Sequence, residues 1–390
     1  MNGLANRAAI VGLGHTEFSH DSGRSELRLA GEAILAALAD AGLSAAAVDG
    51  LVTFTLDNNG EAEVFRTMGG KDLKFLSRVN YGGGGAVAPI MQAAMAIALG
   101  VAETVVVYRA MNERSEYRFG TGALEQAAVV SAEAAILGLH TSHGLRTAAA
   151  WLALPMRRYM HDFGVDDGDF ARIAVSQRDF AATNPLAFFY GKPITIEDYF
   201  RSRMIADPFR LLDCCQQSDG AVALVLTSAE RARGLRSDPV IVSGAAQGAC
   251  DGQQVMTSYY RSDIAAFSEA ALVARQLYAM SGLTPGDIQC AILYDHFGPA
   301  IMPQLEAYGF CGRGEAKDMI RAGITARGGA LPVNPNGGQI GEAYIHGLNG
   351  VAEAVRQVRG TASNKVANVR NVLVTAGIAV PTSGVILSAV

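Results

Sequence analysis

Apolar and polar positions alternate along this chain in two rhythms, short apolar runs closed by glycine and longer stretches with apolar residues at helical spacing. Residues 8–12 form an apolar run ending in glycine and predict a strand. Residues 25–41 then carry Leu27, Leu29, Ile34, Leu35 and Leu38 at helical spacing and stop at Gly42, which predicts a helix. Residues 48–56 predict a second strand, and residues 86–99 a small-residue helix ended by Gly100. The β-branched residues 104–108 predict another strand behind it. This alternation favours a mixed, mostly parallel sheet covered by helices.

The rhythm changes in the middle. Residues 114–203 hold clustered charges, aromatics and prolines, with helical pieces at 149–162 and 167–183, and read as an inserted loop or lid region. Ser218-Asp219-Gly220 then leads into a strand at 221–226, with a charged helix start at Ser228. A second half opens near Pro239 with a strand at 240–244 and a long helix at 258–281 ending at Gly282. It continues with a strand at 288–294, helices at 298–309 and 347–359, and closing strands at 371–376 and 384–389. The order of elements repeats between residues 1–240 and 241–390, so an internally duplicated α/β fold is the natural reading.

Composition narrows the class. Gly is high at 44 of 390 residues, while aromatics make up 7%. That mixture suits α/β layers in which small residues let helices approach sheets. A net charge of −5 gives no electrostatic case for nucleic acid. No long apolar run predicts a membrane span, and residues 1–10 lack the pattern of a secretory signal. The five cysteines (Cys214, Cys215, Cys250, Cys290 and Cys311) have no zinc-ligand spacing. No metal is expected, and the cytoplasm is the simplest location.

Four polar or glycine-rich stretches fall at strand ends, where open α/β sheets place their sites. Asn80-Tyr81-Gly82-Gly83-Gly84-Gly85 precedes a helix whose N-terminal amides suit an anion or oxyanion, unless it is only a flexible turn. It is neither a dinucleotide fingerprint nor a phosphate loop. Tyr294-Asp295-His296-Phe297-Gly298 follows an apolar strand and brings together a phenol, a carboxylate and an imidazole, which suit proton transfer. The bland alternative makes Tyr294 and Phe297 core aromatics. The stretch 334–347, with Asn336, Glu342, Tyr344 and His346, is too polar for a core element and too long for a simple turn. Residues 375–384, including Gly377, connect the last two strands. Other features are weaker. Cys214-Cys215 read as small residues near a strand, Glu133, His140 and His143 lack a fourth ligand, and Asp166-Asp167 with Asp169 read as a solvated helix start.

The order of these four stretches resembles the thiolase superfamily, especially its sterol-carrier and lipid-transfer type, over nearly the whole chain. The family's nucleophile loop resembles residues 80–86, with Gly83 in the cysteine place. Its Asp-Gly-Ala-Ala strand resembles Asp219-Gly220-Ala221-Val222, and its His-Asp-Cys-Phe turn resembles Tyr294-Asp295-His296-Phe297. Its Asn-Pro-x-Gly-Gly block resembles residues 334–338, and the region of its His-Pro resembles Ala343-Tyr344-Ile345. The last loop, Thr375-Ala376-Gly377, carries no cysteine. The resemblance implies the thiolase fold: two duplicated βαβαβαββ halves in an α-β-α-β-α core with an inserted loop domain. It does not carry over the chemistry, because Gly83 cannot be acylated and no cysteine follows Cys311.

Tyrosine stands at two positions where the family has its base or oxyanion groups, Tyr294 and Tyr344, and paired replacement argues against decay. The set resembles the thiolase-like steroid side-chain acyl-CoA aldolases. That likeness implies retro-aldol cleavage of a β-hydroxyacyl-CoA, a 17-hydroxy steroid side-chain thioester, to a ketosteroid and propionyl-CoA, with Tyr294 and Tyr344 as the acid and base pair in either order and His296, His346, Asp295 or Glu342 as a proton path. Gly83, Gly84, Gly377 and Asn336 are the expected oxyanion or substrate-binding positions. CoA enters as part of the substrate, with no covalent cofactor. The family also implies a homodimer and a complex with an OB-fold/zinc-ribbon domain protein of an enoyl-CoA hydratase. Two alternatives stay open: a cysteine-independent acyltransferase, and a non-catalytic subunit that binds lipid or CoA esters.

Overall fold

A computed structural model of the chain describes residues 3–55, 57–116, 132–235, 238–254 and 258–390. Part of the expected lid, residues 117–131, and Leu56 of the second expected strand lie outside the described residues, as does the side chain of Glu133. The strands are β1 (Ala8–His15), β2 (Gly50–Phe54), β3 (Phe75–Val79), β4 (Thr104–Asn112), β5 (Met204–Ala206), β6 (Phe209–Arg210), β7 (Asp219–Ser228), β8 (Val240–Gly248), β9 (Cys290–Ile292), β10 (Asn371–Ala376) and β11 (Thr382–Ser388). All but β5 and β6 join one sheet in the order β3-β2-β4-β7-β1-β8-β11-β10-β9.

The duplication is visible in that order. In each half the opening strand (β1 or β8) lies beside the closing strand (β7 or β11), followed by β4 or β10 and then β2 or β9. The halves meet where β1 and β8 pair antiparallel, at Ala9 with Ile241 and Ile10 with Val240. Parallel pairing is confined to the flanks, β3-β2-β4 and β10-β9. The middle is antiparallel, so the expectation of a mostly parallel sheet holds only where crossover helices intervene. The second half also shortens its third strand to a single parallel bridge between Ala291 and Val333. Pro332 and Pro335 flank that bridge and have no N–H to extend a ladder.

Helix α1 (Glu26–Ala41) begins and ends where the sequence places its caps. The Ser25 hydroxyl accepts the Arg28 N–H at 3.3 Å, and Gly42 closes it at φ 69°. It lies directly on β1, since an ideal Cβ at Gly12 or Gly14 would fall on the carbonyl oxygens of Ala37 and Ala33. Helices α2 (Ala88–Ala98) and α6 (Leu348–Val358) touch strands of both halves and share one core with them. Helix α5 (Ser268–Ser281) covers β8 and β11 from the far side. The result is the expected α-β-α-β-α stack. The insertion contributes α3 (Ala148–Phe163) and α4 (Asp167–Ala182), whose Met156, Tyr159, Phe170 and Ile173 join the second half's core beside Phe297 and Ile301. The Asp166 carboxylate caps α4 in a reciprocal pair with Asp169, a helix start as the sequence suggested.

Three boundaries differ from expectation. The long helix begins at Ser268, not residue 258: the Asp263 carboxylate accepts the Ala265 N–H at 3.0 Å, and Arg261 folds back onto Glu269 at 2.6 Å. The segment after Phe297 opens as a 3₁₀ turn, Gly298–Ala300, before its helix Ile301–Ala307. Strand β4 runs on to Asn112 with the Arg109 side chain fully buried. Among the described residues, no helix is long and apolar enough to cross a membrane.

The α1–β1 contact gives a stability test. A valine at Gly14 would strike rigid main chain, and overpacking of this kind costs about 3 kcal/mol or more. Gly14→Val should therefore lower the urea midpoint sharply. Gly138→Ala, where an added Cβ meets nothing within 4 Å, should leave the midpoint unchanged or raise it. Equal midpoints for both variants would contradict this packing.

Candidate active site

Two buried phenols meet at the centre of the molecule, with the Tyr294 and Tyr344 hydroxyls 3.1 Å apart. Tyr294 leaves β9, and its backbone is clamped on both sides. Its N–H donates to Thr375 Oγ1 at 3.0 Å, and its carbonyl accepts from Gln304 Nε2 at 2.8 Å. Tyr344 lies in the loop before α6, where its N–H donates to Ser218 Oγ at 3.2 Å and its backbone bridges Gln217. The two phenols are 4% and 7% exposed.

Gly83 explains why the pair can form. It lies in a 3₁₀ turn, Gly82–Gly85, entered through Tyr81 in the left-handed region at φ 82°. An ideal Cβ at Gly83 would fall on the Tyr294 hydroxyl and within 2.5 Å of Cζ. The phenol fills the space in which any side chain at residue 83 would project. Gly347, at φ 95°, allows equally close approach on the other side, since a Cβ there would lie 3.0 Å from Tyr294 Cε2. Gly84 and Gly377 pack backbone to backbone, with a Cβ at Gly377 only 2.6 Å from Gly84 Cα.

Both histidines adjoin the pair. The His296 ring centroid is 4.9 Å from that of Tyr294, and His346 is 5.5 Å from Tyr344. Burial pushes His296 down to about 3. His346 is also lowered well below its usual value, by burial first and then by the Arg109 guanidinium. Both imidazoles are therefore neutral near pH 7 and suited to offer or accept a hydrogen bond. Burial also raises both phenols, so the resting pair is fully protonated.

Three expected participants are engaged elsewhere. The Asp295 carboxylate turns away from the phenols to accept the Gln339 N–H at 2.8 Å, and burial raises it to about 7. Side chains alternate at a strand end, so Asp295 faces opposite to Tyr294. Asn336 donates to Glu342 Oε2 at 2.5 Å, in a buried network with Asn184 and Asn349. It braces the loop that carries Tyr344. The Gly84 N–H donates to the Tyr81 carbonyl at 3.1 Å within its own turn. The first turn of α2 is likewise occupied, because the Val87 N–H donates to Ser383 Oγ. Among the described residues no group of three or more His, Cys, Asp or Glu side chains is placed to hold a metal ion. A roomier cavity of about 560 Å³ lies between α4 and residues 320–333, and neither tyrosine lines it.

Sequence reading passed over Glu113 and set Cys215 aside as a small residue near a strand. Cys215 is tied to the site by its N–H, which donates to the His296 carbonyl at 2.9 Å. Glu113 follows the last residue of β4 and is 3% exposed. Its signal was a carboxylate at the carboxyl end of a β-branched strand, hidden because Arg109 broke the apolar run.

Relatives agree with this architecture. Residues 251–389 match the family model described as Thiolase C-terminal domain-like. The chain is 57% identical to the steroid side-chain-cleaving aldolase of Thermomonospora curvata, with 100% of both chains covered. It is also 57% identical to the 17-hydroxy-3-oxo-4-pregnene-20-carboxyl-CoA lyase of Mycobacterium tuberculosis, over 98% of this chain and 100% of the relative. Among solved structures, one named the Ltp2-ChsH2(DUF35) aldolase superposes with a TM-score of 0.95 at 57% identity, covering 99% of this chain and 98% of that one.

The Gly83 contact is testable. Gly83→Ala should destabilise the fold, and pairing it with Tyr294→Ala should recover part of the loss, a coupling of about 1 kcal/mol or more. Additive effects on the unfolding midpoint would show that the hydroxyl does not fill the residue 83 space.

Proposed function

The chain belongs to the thiolase-like family of steroid side-chain-cleaving aldolases, and from that membership and its paired phenols we infer that it is a carbon–carbon lyase acting on acyl-CoA. It cleaves the Cα–Cβ bond of a β-hydroxyacyl-CoA, a 17-hydroxy steroid side-chain thioester, to a ketosteroid and propionyl-CoA. The observation that carries the mechanism is the 3.1 Å contact between Tyr294 and Tyr344 in a pocket with no cysteine at residue 83.

Retro-aldol cleavage requires two proton movements and no nucleophile. One phenol oxygen takes the β-hydroxyl proton as the Cα–Cβ bond breaks and its electron pair passes to the thioester as an enolate. The other phenol returns a proton to Cα. The main-chain amides of Gly83 and Gly377 and the neutral imidazoles of His296 and His346 supply donors for the thioester oxygen. Asp295, Asn336 and Gly84 act structurally, by holding the loops that bear these groups. Covalent acyl transfer is disfavoured. Burial pushes the Cys214 thiol up to about 12 and Cys215 well above its usual range, so neither forms a ready thiolate.

The assembly we propose is a homodimer with an OB-fold/zinc-ribbon partner of an enoyl-CoA hydratase, in the cytoplasm. Two facts support it. The relative named Ltp2-ChsH2(DUF35) aldolase carries a two-part name. Among the described residues β3 ends the sheet with an unpaired edge and presents Leu76 at 57% exposure.

Tyr294→Phe and Tyr344→Phe should each reduce ketosteroid release about 100-fold or more, while the thermal midpoint and partner binding persist. Near-normal turnover in both variants would remove the phenols from the chemistry. Binding of the thioester without product under any partner combination would instead favour a non-catalytic subunit.

A further inference from the structure

Tyr344 can serve Tyr294 only while its hydroxyl stays in place. A phenol oxygen stands at the far end of a rigid ring, so a small turn of the backbone at residue 344 swings it out of hydrogen-bond reach. Because the peptide unit is planar, that backbone has two soft angles, and both are set once the peptide planes on either side are held. The loop needs such a hold. His346 lies in the left-handed region at φ 51°, and Gly347 follows at φ 95°. A residue with a Cβ keeps that conformation where its surroundings impose it.

One side chain grips both planes. Asn349, the second residue of α6, is 1% exposed. Its Nδ2 donates to the Ala343 carbonyl at 2.9 Å, in the plane before Tyr344. Its Oδ1 accepts the Ile345 N–H at 3.4 Å, in the plane after it. The chain reverses between these residues, where the Leu348 N–H donates to the Ile345 carbonyl at 3.1 Å. Asn349 Nδ2 also donates to Glu342 Oε2 at 2.9 Å. That bond fixes the amide's orientation, since a flipped amide would set its oxygen against a carboxylate and a carbonyl. Glu342 is anchored in turn. It is fully buried, accepts from Asn184 and Asn336, and its own carbonyl accepts the Phe188 N–H at 2.8 Å. Two donors and an acceptor in one plane are what a carboxamide offers and a carboxylate, a hydroxyl or an alkyl group does not.

We propose that Asn349 is a positioning residue of the cleavage reaction: by pinning the two peptide planes that flank Tyr344, it keeps that phenol within proton-transfer distance of Tyr294. This rests on the aldolase reading above. Asn349 touches no substrate and carries no proton in this scheme. Its contribution is to the bond-breaking step, where misplacing a reacting group by about 1 Å costs about 100-fold in rate. The loss on its removal therefore falls on kcat and not on KM.

The test uses the full chain assembled with its partner. Asn349→Ala removes all three bonds. Asn349→Ser keeps one hydroxyl, is milder, and carries the test where alanine prevents folding. Val106→Ala is the stability control, because Val106 is buried in the core against α1, away from both phenol-bearing loops. Each variant is also made with a fluorinated tyrosine at residue 344, whose fluorine resonance reports the placement of the ring without substrate. Asn349→Ala should lower kcat about 100-fold, leave KM within a few-fold, and shift or split the resonance. Asn349→Ser should fall between it and the unaltered enzyme in both respects. Val106→Ala should lower the thermal midpoint while kcat and the resonance hold. The proposal is overturned by a resonance unmoved in both Asn349 variants, by near-normal kcat, by a loss that falls on KM, or by an equal loss of kcat in Val106→Ala. Failure of the aldolase reading itself looks different. The unaltered complex would then release no ketosteroid, while the resonance would still move in the Asn349 variants.

Discussion

The Tyr294 hydroxyl stands where a side chain at residue 83 would otherwise project, and the rest of the site follows from that exclusion. A side chain at residue 83 and the Tyr294 hydroxyl, as it lies here, cannot share that space. With glycine at 83 the phenol reaches inward to within hydrogen-bond distance of Tyr344. Gly347 and the Gly84–Gly377 contact serve the same end. Each removes a Cβ where one chain segment must press against another. The glycine loops here act as clearances around the phenol pair.

Burial sets the chemistry of what remains. In water a phenol and an imidazole would titrate near their ordinary values. Enclosed between the two halves, both tyrosines stay protonated and both histidines stay neutral. The same enclosure disarms the cysteines that survive nearby. A site of neutral donors around a thioester carbonyl suits charge that develops and disappears within one bond cleavage, as in a retro-aldol step.

Much of the scaffold was legible in the sequence because local chemistry and tertiary packing agree there. Ser25 and Gly42 cap α1 where they predict a helix, and Gly282 closes α5. Tyr294 and Tyr344, 50 residues apart, could be paired only through the family resemblance; in the fold their hydroxyls lie 3.1 Å apart. What escaped sequence reading lies where packing overrides local pattern. Arg109 interrupts an apolar run yet is wholly buried, with its guanidinium 5.0 Å from the Phe54 ring and one nitrogen 3.2 Å from the Phe54 carbonyl. That hid the true end of β4 and with it Glu113. The dense polar stretch 334–347 suggested several catalytic groups, but two of them, Asn336 and Glu342, hydrogen-bond each other, and Glu342 also accepts from Asn349 beyond the stretch, to hold the loop. Polarity in a buried loop marks a network that must be satisfied before it marks a reaction.

The central claim is that a phenol at residue 294 moves a proton in the bond-breaking step. Its most direct test replaces Tyr294 by a fluorinated tyrosine, which keeps the shape of the side chain and makes the hydroxyl more acidic. The account predicts that kcat changes in step with the acidity of the substituted ring while the thermal midpoint stays put. A kcat that is undiminished and independent of ring acidity would contradict it.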